Sequence, residues 1–358
     1  MTFLALPWTE MCVALPFLGA GAAFIYRDPF RTSRWAVSFS AAILVLSFMP
    51  WIALSSGQSV PGPYFAVDGL TGLLIPLVSL LHFLTVLATA RVKLNRTSLV
   101  GHMIGEGIRL GTFAVAPDRP WLLILFLILG VIPPFVELTQ RKKPTRIYTM
   151  HMTLFVVLLA GGWIAIERGM TTFGSTLLML SVLVRSGTVP AHLWVSDLVE
   201  NATFGTALLF VTPLVGVFTT LRLILPIAPE WILSGISYVS LITALYAAGM
   251  ATVQTEARRF FAYLFLSHAS LVLVGLELHT TASLTGSLCL WVSISVSLGG
   301  LALRSGLLTR YGRLTLTRYL GLYEQSRTLA ICFLPRGWAA WGSPARSVLS
   351  PPNFCSMA

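Results

Sequence analysis

The sequence has very little charge. Of its 358 residues only 10% are Asp, Glu, Lys or Arg, and 13 are acidic, whereas about a quarter of the residues of an ordinary soluble domain are charged. The chain is 56% hydrophobic, with a mean hydropathy of +0.81. No water-soluble core needs so many apolar residues, so the composition predicts an all-α integral membrane protein, a polytopic helical bundle.

Residues that hold cofactors are also scarce. The four cysteines (Cys12, Cys289, Cys332 and Cys355) form no C-x-x-C pair, which argues against zinc, haem and iron-sulfur sites. No nucleotide-binding glycine loop and no Ser-His-Asp spacing is present. We therefore expect no cofactor, no metal and no catalytic centre in this chain alone. The net charge of +11 does not indicate nucleic acid, because the basic residues form short clusters between apolar runs.

The apolar runs predict about eleven transmembrane helices, each near the roughly 20 residues that cross a bilayer. The predicted spans are Leu4–Tyr26, Trp35–Ser55, Val67–Ala90, Ser98–Ala116, Trp121–Leu138, Tyr148–Ile166, a seventh from Thr172 into a broken stretch, Phe204–Leu225, Trp231–Val253, Phe260–Glu277 and Ala282–Leu303. Ser98–Ala116 is the doubtful span because it carries His102, Glu106 and Arg109. Counting it places the basic clusters on one side, which the positive-inside rule makes cytoplasmic. The amino terminus is then outside.

The rest of the chain is organised around the stretch Val184–Phe210, in which an apolar helix is interrupted. The helix ends at Arg185, and the residues that break and turn the chain are Gly187, Pro190, Trp194, Asp197 and Glu200, with His192 among them. A buried arginine costs roughly 2.5–3.5 kcal/mol at the bilayer centre, so an arginine there predicts an ion path or a protein-facing charge. Irregular backbone at this depth requires neighbouring protein or water.

Three motifs carry a family resemblance. The stretch R-S-G-T-V-P-A-H-L-W-V-S-D-L-V-E-N-A-T-F-G-T-A-L-L-F from Arg185, V-D-G-L-T from Val67 and V-Q-T-E-A-R-R-F-F-A-Y-L-F-L-S-H from Val253 resemble the signatures of the antiporter-like membrane subunits of respiratory complex I, Mrp antiporters and membrane-bound hydrogenases. The resemblance implies inverted five-helix repeats and buried groups that pass protons along the membrane midplane. It also implies partner subunits that carry out redox chemistry, and a multi-pass location in the cell inner membrane.

The sequence departs from the family at the relay positions that the resemblance implies. The family's pumping lysine is Arg185, and the histidine that closes its A-L-L-H block is Phe210. Nothing ionises at Ile128–Gly130, where the family has a glutamate, or at Gly286–Trp291, where it has a lysine block. Because arginine stays charged where lysine can lose its proton, Arg185 cannot hand on a proton.

Two interpretations of the proton path stay open. The path is closed and the subunit keeps only its fold and docking surface, or it is rerouted through His102, Glu106, Glu137, His192 and His268 with Arg185 as a static charge. Structural roles compete at each position, including an ion pair between Glu106 and Arg109, three apart on one helix face. Asp68 is predicted to cap the third helix.

Several functions fit this family resemblance. The first is a membrane subunit of a redox-driven, proton-translocating NADH:quinone oxidoreductase-like complex; the alternatives are a subunit of a hydrogenase or inorganic-carbon uptake system, and a stand-alone ion transporter. Residues 1–327 are predicted to form one transmembrane domain. Residues 328–358, rich in Pro, Ser, Arg and Trp, are predicted to be a poorly ordered tail, left by a reading-frame shift near Leu334 that makes the second repeat incomplete.

Overall fold

The computed structural model describes residues 7–25, 28–55, 60–62, 64–88, 96–211, 214–276 and 281–308. Almost all of them are helical, as the composition predicted. The chain divides into two compact units, residues 1–232 and 233–358. The predicted tail, residues 328–358, lies outside the described residues.

The first unit consists of short and long helices and one minimal hairpin. Its elements are α1 (Trp8–Ile25), α2 (Pro29–Ser55), β1 (Val60–Pro61), β2 (Ala66–Val67), α3 (Thr71–Ala88), α4 (Arg96–Ala114), α5 (Pro120–Leu129), α6 (Ile132–Gln140), α7 (Arg146–Glu167), α8 (Thr171–Ser186), α9 (Leu193–Asn201), α10 (Phe204–Val211), α11 (Val215–Thr219) and a π-helical stretch (Thr220–Ile224). The two strands pair antiparallel.

The second unit contains most of α12 (Glu230–Thr252), then α13 (Ala257–Leu276) and α14 (Thr281–Leu308). Ala247 and Ala251 of α12 pack with Tyr263 and Leu266 of α13 in a small apolar core. The Ser267 hydroxyl donates a hydrogen bond to the Ala244 carbonyl (2.9 Å) across the same two helices.

Seven helical segments among the described residues are long and apolar enough to cross a membrane, and two shorter apolar helices accompany them. The chain is therefore a multi-pass membrane protein. The predicted count of eleven spans stays a prediction, since α4 is too polar to be recognised by hydropathy.

The position of α4 nevertheless agrees with a span. At its C-terminal end Val115 forms a bridge with Phe65, and the Ala116 amide donates to the Tyr64 carbonyl (3.0 Å). Residues 64 and 65 lie just before β2, a few residues ahead of the start of α3. The C-terminal end of α4 thus lies near the N-terminal end of α3, and the two helices run antiparallel, side by side. A helix that returned without crossing would end beside the other end of α3.

α7 and α8 meet at two glycines. A Cβ on Gly162 would lie 2.9 Å from the Gly174 carbonyl oxygen, and one on Gly174 would lie 2.7 Å from the Gly162 carbonyl oxygen. Small residues let membrane helices approach at backbone distance. This contact fixes the axis of α8, whose far end carries Arg185.

Three of the predicted spans are interrupted. The broken seventh helix is present as α8 and α9. The fifth is divided into α5 and α6 at Gly130–Val131, directly before Pro133-Pro134, and the predicted continuous eighth helix is wrong, because α10 ends at Val211 and α11 begins at Val215. The sequence places Pro213 between them, and proline cannot donate the helical backbone hydrogen bond.

Candidate functional site

The helix α8 ends in a glycine turn. Gly187 has φ +71, its amide donates to the Val184 carbonyl (3.1 Å), and the Thr188 amide donates to the Leu183 carbonyl (3.0 Å). This is the Schellman arrangement, which needs a residue that tolerates left-handed backbone. The following Val189-Pro190 bond is cis, and the chain re-enters a helix at α9.

Trp194, on α9, stabilises this turn. Its indole Nε1 donates to the Val184 carbonyl (2.9 Å), and the side chain is 1% exposed. That carbonyl lies in the last turn of α8, where no backbone amide of the same helix can reach it. The turn residues Gly187 and Trp194 thus satisfy the carbonyls that the broken helix exposes.

Arg185 lies in an aromatic cage at this break. The side chain is buried, with Cζ 3.9 Å from the centroid of the Phe210 ring and 5.6 Å from that of Trp194. Its Nη2 donates to the Phe210 carbonyl (3.2 Å), in the last turn of α10. Among the described residues no carboxylate lies within 4 Å of the guanidinium. The cation is held by aromatic faces and helix C-terminal carbonyls, both of which favour positive charge.

Tyr148 completes the cage and joins it to the break between α5 and α6. Its ring lies 5.7 Å from the Phe210 ring and 6.5 Å from the Trp194 ring, and its hydroxyl donates to the Val131 carbonyl (2.8 Å) between α5 and α6. The interruptions of all three helices therefore meet around the Arg185 cage (Arg185, Tyr148, Trp194 and Phe210).

A second group of ionisable residues lies between α3 and α4. Nε2 of His82 is 3.0 Å from Oε2 of Glu106, and both side chains are fully buried. Within the described part of the chain, neither nitrogen of His82 and neither oxygen of Glu106 has an aligned hydrogen bond. The His102 ring is 6.5 Å from the His82 ring.

The predicted ion pair between Glu106 and Arg109 is not formed. Three residues of helix turn the side chains roughly 60° apart, so Glu106 faces α3 while Arg109 folds back toward Gly105 and Pro133. Nε and Nη2 of Arg109 have no aligned hydrogen bond with any described residue. His82 takes the place that the sequence analysis gave to Arg109.

Arg109 instead borders a small cavity. The cavity offers about 40 Å³ to the centres of water molecules, and residues of α4, α6 and α10 line it, among them His102, Arg109, Glu137, Gln140 and Thr206. A water needs roughly 10–15 Å³ of such space and two to four polar partners. The cavity therefore has space and hydrogen-bonding groups for about three waters.

Glu137 lies between this cavity and the predicted cytoplasmic end of α6. Its Oε1 accepts a hydrogen bond from the Thr203 amide (2.7 Å) and lies 3.6 Å from Nη1 of Arg141, and its Oε2 accepts one from the Thr206 hydroxyl. Glu137 is buried and Arg141 is partly exposed. The carboxylate ties α6 to the start of α10.

The remaining predicted residues lie elsewhere. His192 is buried at the start of α9, and the Asp197 carboxylate accepts a hydrogen bond from Asn201 (2.9 Å) while Glu200 is exposed. His268 is on α13 of the second unit, with Nδ1 2.9 Å from the Leu264 carbonyl oxygen of its own helix. The structure thus brings together His102, Arg109 and Glu137, with Glu106 adjacent.

Asp68 caps α3, as predicted. Its Oδ1 accepts hydrogen bonds from the Leu70 and Thr71 amides (3.1 and 2.9 Å), and its Oδ2 forms an ion pair with Arg222. Burial alone would raise the pKa of the Asp68 carboxyl, but the hydrogen bonds from Thr71 and the pairing with Arg222 together lower it below its ordinary value. Arg222 lies in the π-helical stretch, so the pair links two elements far apart in the chain.

His82 and Tyr148 were missed by the sequence analysis. A histidine inside the apolar run Val67–Ala90 was the available indication, because an ionisable residue within a membrane span is a candidate functional residue by default. Tyr148 gave no such indication, since tyrosines are common where helices meet the membrane surface. Within the described residues, no group of three His, Cys, Asp or Glu side chains could hold a metal ion.

Comparison with known proteins identifies the family. Residues 144–355 of the 358, more than half of the chain, match the model of the NADH:quinone oxidoreductase/Mrp antiporter transmembrane family. The chain belongs to this family. The matched range of this antiporter-family subunit includes the Arg185 cage and most of residues 328–358.

Two relatives and one solved structure illustrate the similarity. The chain is 27% identical to NADH-quinone oxidoreductase subunit 13 of Thermus thermophilus, over 93% of this chain and 75% of that protein. It is 26% identical to the chloroplastic NAD(P)H-quinone oxidoreductase chain 4 of Nuphar advena, over 80% of this chain and 62% of the relative's length. A chain of Thermus thermophilus respiratory complex I with bound NADH superposes with a TM-score of 0.80 at 22% identity, covering 93% and 78% of the two chains.

These similarities give the antiporter-family subunit the fold of the antiporter-like membrane subunits. The chain spans just under two thirds of the length of its chloroplastic relative. The predicted pair of inverted repeats, with an incomplete second repeat, stays a prediction.

Proposed function

We propose that this chain is a membrane subunit of a redox-driven, proton-translocating complex of the NADH:quinone oxidoreductase type. The observation that carries the proposal is the family match together with ionisable groups buried inside apolar helices, above all His82 and Glu106. Buried ionisable groups in membrane spans are costly and usually mark ion paths. Other membrane subunits, the lipid bilayer and protons are the partners, and the location is the cell inner membrane.

Arg185 acts in this proposal as a fixed charge. Its cage offers no group that exchanges protons near neutral pH, because an arginine, a tyrosine, a tryptophan and a phenylalanine form it. An arginine remains protonated in proteins, so the cage supplies a constant field to its neighbours. Any proton that crosses the first unit uses other residues.

Deletion of the gene in the native organism tests the proposal. Inverted membrane vesicles are supplied with NADH and a quinone, and proton uptake is measured with a pH-sensitive dye alongside the rate of NADH oxidation. The ratio of protons taken up to NADH oxidised should fall in the deletion strain and return when the wild-type gene is supplied. An unchanged ratio, with the complex intact, would contradict the proposed function.

A separate measurement addresses the partners. An affinity tag on the chain should recover a flavin or iron-sulfur subunit together with further membrane subunits from gently solubilised membranes. Recovery of nickel-hydrogenase subunits would instead favour a hydrogenase, and recovery of a large zinc protein would favour an inorganic-carbon uptake system. Recovery of the chain alone would favour a stand-alone ion transporter.

A further inference from the structure

We infer that His82 and Glu106 form a buried proton-binding site, reached from the predicted cytoplasmic side through the cavity that Glu137, Arg109 and His102 line. This inference rests on the proposed function and adds to it the place where the proton binds. It assigns a role to His82, which lies on α3 away from the Arg185 cage.

The contact between His82 and Glu106 has the chemistry of a shared proton. With one proton on the pair, either the imidazole is neutral beside a carboxylic acid, or the imidazolium faces a carboxylate 3.0 Å away. Both forms have no net charge, which burial favours. A second proton gives the pair a charge of plus one and its release restores neutrality, so the site can load and unload.

The absence of other hydrogen bonds keeps this site responsive. Within the described residues no group forms an aligned hydrogen bond with either oxygen of Glu106 or either nitrogen of His82, and the 3.0 Å contact between the two side chains is itself not aligned. A buried carboxylate that is a structural anchor usually has several donors, as Glu137 does with Thr203, Thr206 and Arg141. The His82–Glu106 pair lacks such anchors, so no neighbouring donor holds the carboxyl group in one protonation state.

The residues between the pair and the surface form a row that ends in an exposed side chain. Gln140 is exposed and borders the cavity, Glu137 and His102 follow, and the fully buried pair lies beyond His102. A proton from water in the cavity bonds to a His102 nitrogen as the O–H bond of the donor breaks. The His102 N–H bond then breaks as the proton passes to His82, directly or through one water across the 6.5 Å between ring centres.

The charged and titratable neighbours of the site among the described residues take part in its electrostatics. They are Cys12 on α1, His102 and Arg109 on α4, and Glu137 on α6, with Arg141 beyond it. Arg109 remains a cation and opposes a second positive charge on the pair, whereas Glu137 favours it. The balance between these two residues sets how long the extra proton stays.

The inference is tested with isosteric variants in the complex. Glu106→Gln and His82→Gln should each lower the redox-driven proton uptake that depends on this subunit at least fivefold, while both keep the size of the replaced groups. Thr112→Val is the matched control, because Thr112 is buried on α4 and its hydroxyl donates to the Ile108 carbonyl of its own helix (2.8 Å). The control should stay within twofold of wild type.

The deletion strain and the two variants, Glu106→Gln and His82→Gln, distinguish a wrong site from a wrong function. If deletion of the subunit lowers proton uptake but Glu106→Gln and His82→Gln behave as wild type, the proton-binding site is wrong and the proposed function stands. If deletion itself changes nothing, the proposed function fails and the site fails with it.

Labelling of the wild-type complex covers the case in which the variants do not assemble. A hydrophobic carbodiimide reacts with a protonated carboxyl group in an apolar setting, so it should modify Glu106, detected by mass spectrometry of the digested subunit, in parallel with loss of proton uptake. Loss of proton uptake without label on Glu106, or label without loss, would overturn the inference.

Discussion

At the scale of single residues, the charge at the broken helix is held without a counter-ion from any residue that the structure describes. Arg185 is stabilised by the ring of Phe210, by Trp194 and by the Phe210 carbonyl. The planar guanidinium stacks on the Phe210 ring and donates to the carbonyl of the same residue. The sequence analysis predicted departures from the family at both Arg185 and Phe210, and the structure places these two residues in direct contact.

We predict that Arg185→Lys leaves redox-driven proton uptake unchanged or raises it, because a lysine can lose its proton when desolvated. Loss of the stacked cation should cost about 1–2 kcal/mol of stability. Arg185→Ala should cost more, because it also leaves the Phe210 carbonyl without a donor. The measurements are proton uptake in vesicles and the thermal unfolding temperature of the solubilised complex.

A loss of proton uptake in Arg185→Lys would contradict this prediction. Strong uptake in wild type that Arg185→Lys abolishes would mean that the guanidinium itself is needed for transport. The view of Arg185 as a fixed charge would then be wrong.

Asp68 gives a prediction for acid sensitivity. Because its pKa is lowered in the folded chain, its contribution to stability is complete above the ordinary carboxyl pKa of about 3.9. That contribution is lost as the pH falls through the lower folded value. Asp68→Asn should remove this part of the acid dependence and keep the cap, since asparagine caps a helix about as well as aspartate. Stability at neutral pH should fall by roughly 0.2–1 kcal/mol through the lost ion pair with Arg222.

Thermal unfolding of the solubilised chain between pH 7 and 3 measures both effects of Asp68→Asn. Asp118→Asn is the control, since Asp118 is exposed and forms its ion pair with the neighbouring Arg119 (3.5 Å). An acid dependence that is the same in Asp68→Asn and wild type would show that the Asp68–Arg222 pair contributes nothing to the folded state.

At the scale of elements, the position of α8 depends on how closely it approaches α7. Gly162 and Gly174 allow backbone contact there, and the neighbouring Gly161 does not take part, since a Cβ on it would meet only Leu177 at 3.8 Å. Closely packed interfaces do not accept an extra methyl group without displacement. The chain thus provides its own matched control for this contact.

We predict that Gly162→Ala and Gly174→Ala each destabilise the protein by roughly 1–3 kcal/mol and displace the Arg185 cage at the end of α8. Gly161→Ala should be neutral or slightly stabilising, as alanine favours helix. The fluorescence of Trp194 and the unfolding temperature report these changes. Equal effects of Gly161→Ala and Gly162→Ala would contradict the close contact.

The sequence predicted the break of the seventh helix because Gly187 and Pro190 follow Arg185 directly. It did not predict the break of the eighth, since the run from Phe204 to Leu225 is apolar enough to be taken as one helix in spite of Pro213. The partner of Glu106 could not be predicted either. Pairing within one helix follows from spacing, whereas the pairing with His82 depends on how α3 and α4 are rotated against each other, which hydropathy does not determine.

At the scale of the whole molecule, the arrangement of loops defines which ends of the helices share a membrane face. Tyr64, Phe65, Val115 and Ala116 lie together, and Arg119 is 6.0 Å from the Tyr64 ring. These residues belong to the predicted outer side. The basic residues Arg141, Lys142 and Lys143 belong to the predicted cytoplasmic side, at the end of α6.

We predict that single cysteines at Asp118 and Lys142 are labelled from opposite sides of the membrane. The four native cysteines are first replaced by serine or alanine, and a membrane-impermeant maleimide is applied to intact cells and to inverted vesicles. Asp118→Cys should react in cells and Lys142→Cys in inverted vesicles. Labelling of both from one side would show that the chain does not cross the membrane between Asp118 and Lys142. The cavity would then not lie on the predicted cytoplasmic side.

The Arg185 cage has a consequence for the response to membrane voltage. One elementary charge that moves across the full membrane potential exchanges about 2.3 kcal/mol per 100 mV. As long as the guanidinium stays stacked on Phe210 and bonded to its carbonyl, it moves through none of that field. Under the proposed function, mobile protons then carry the voltage sensitivity of this subunit, so the current–voltage relation of the complex reports on the proton route rather than on the arginine.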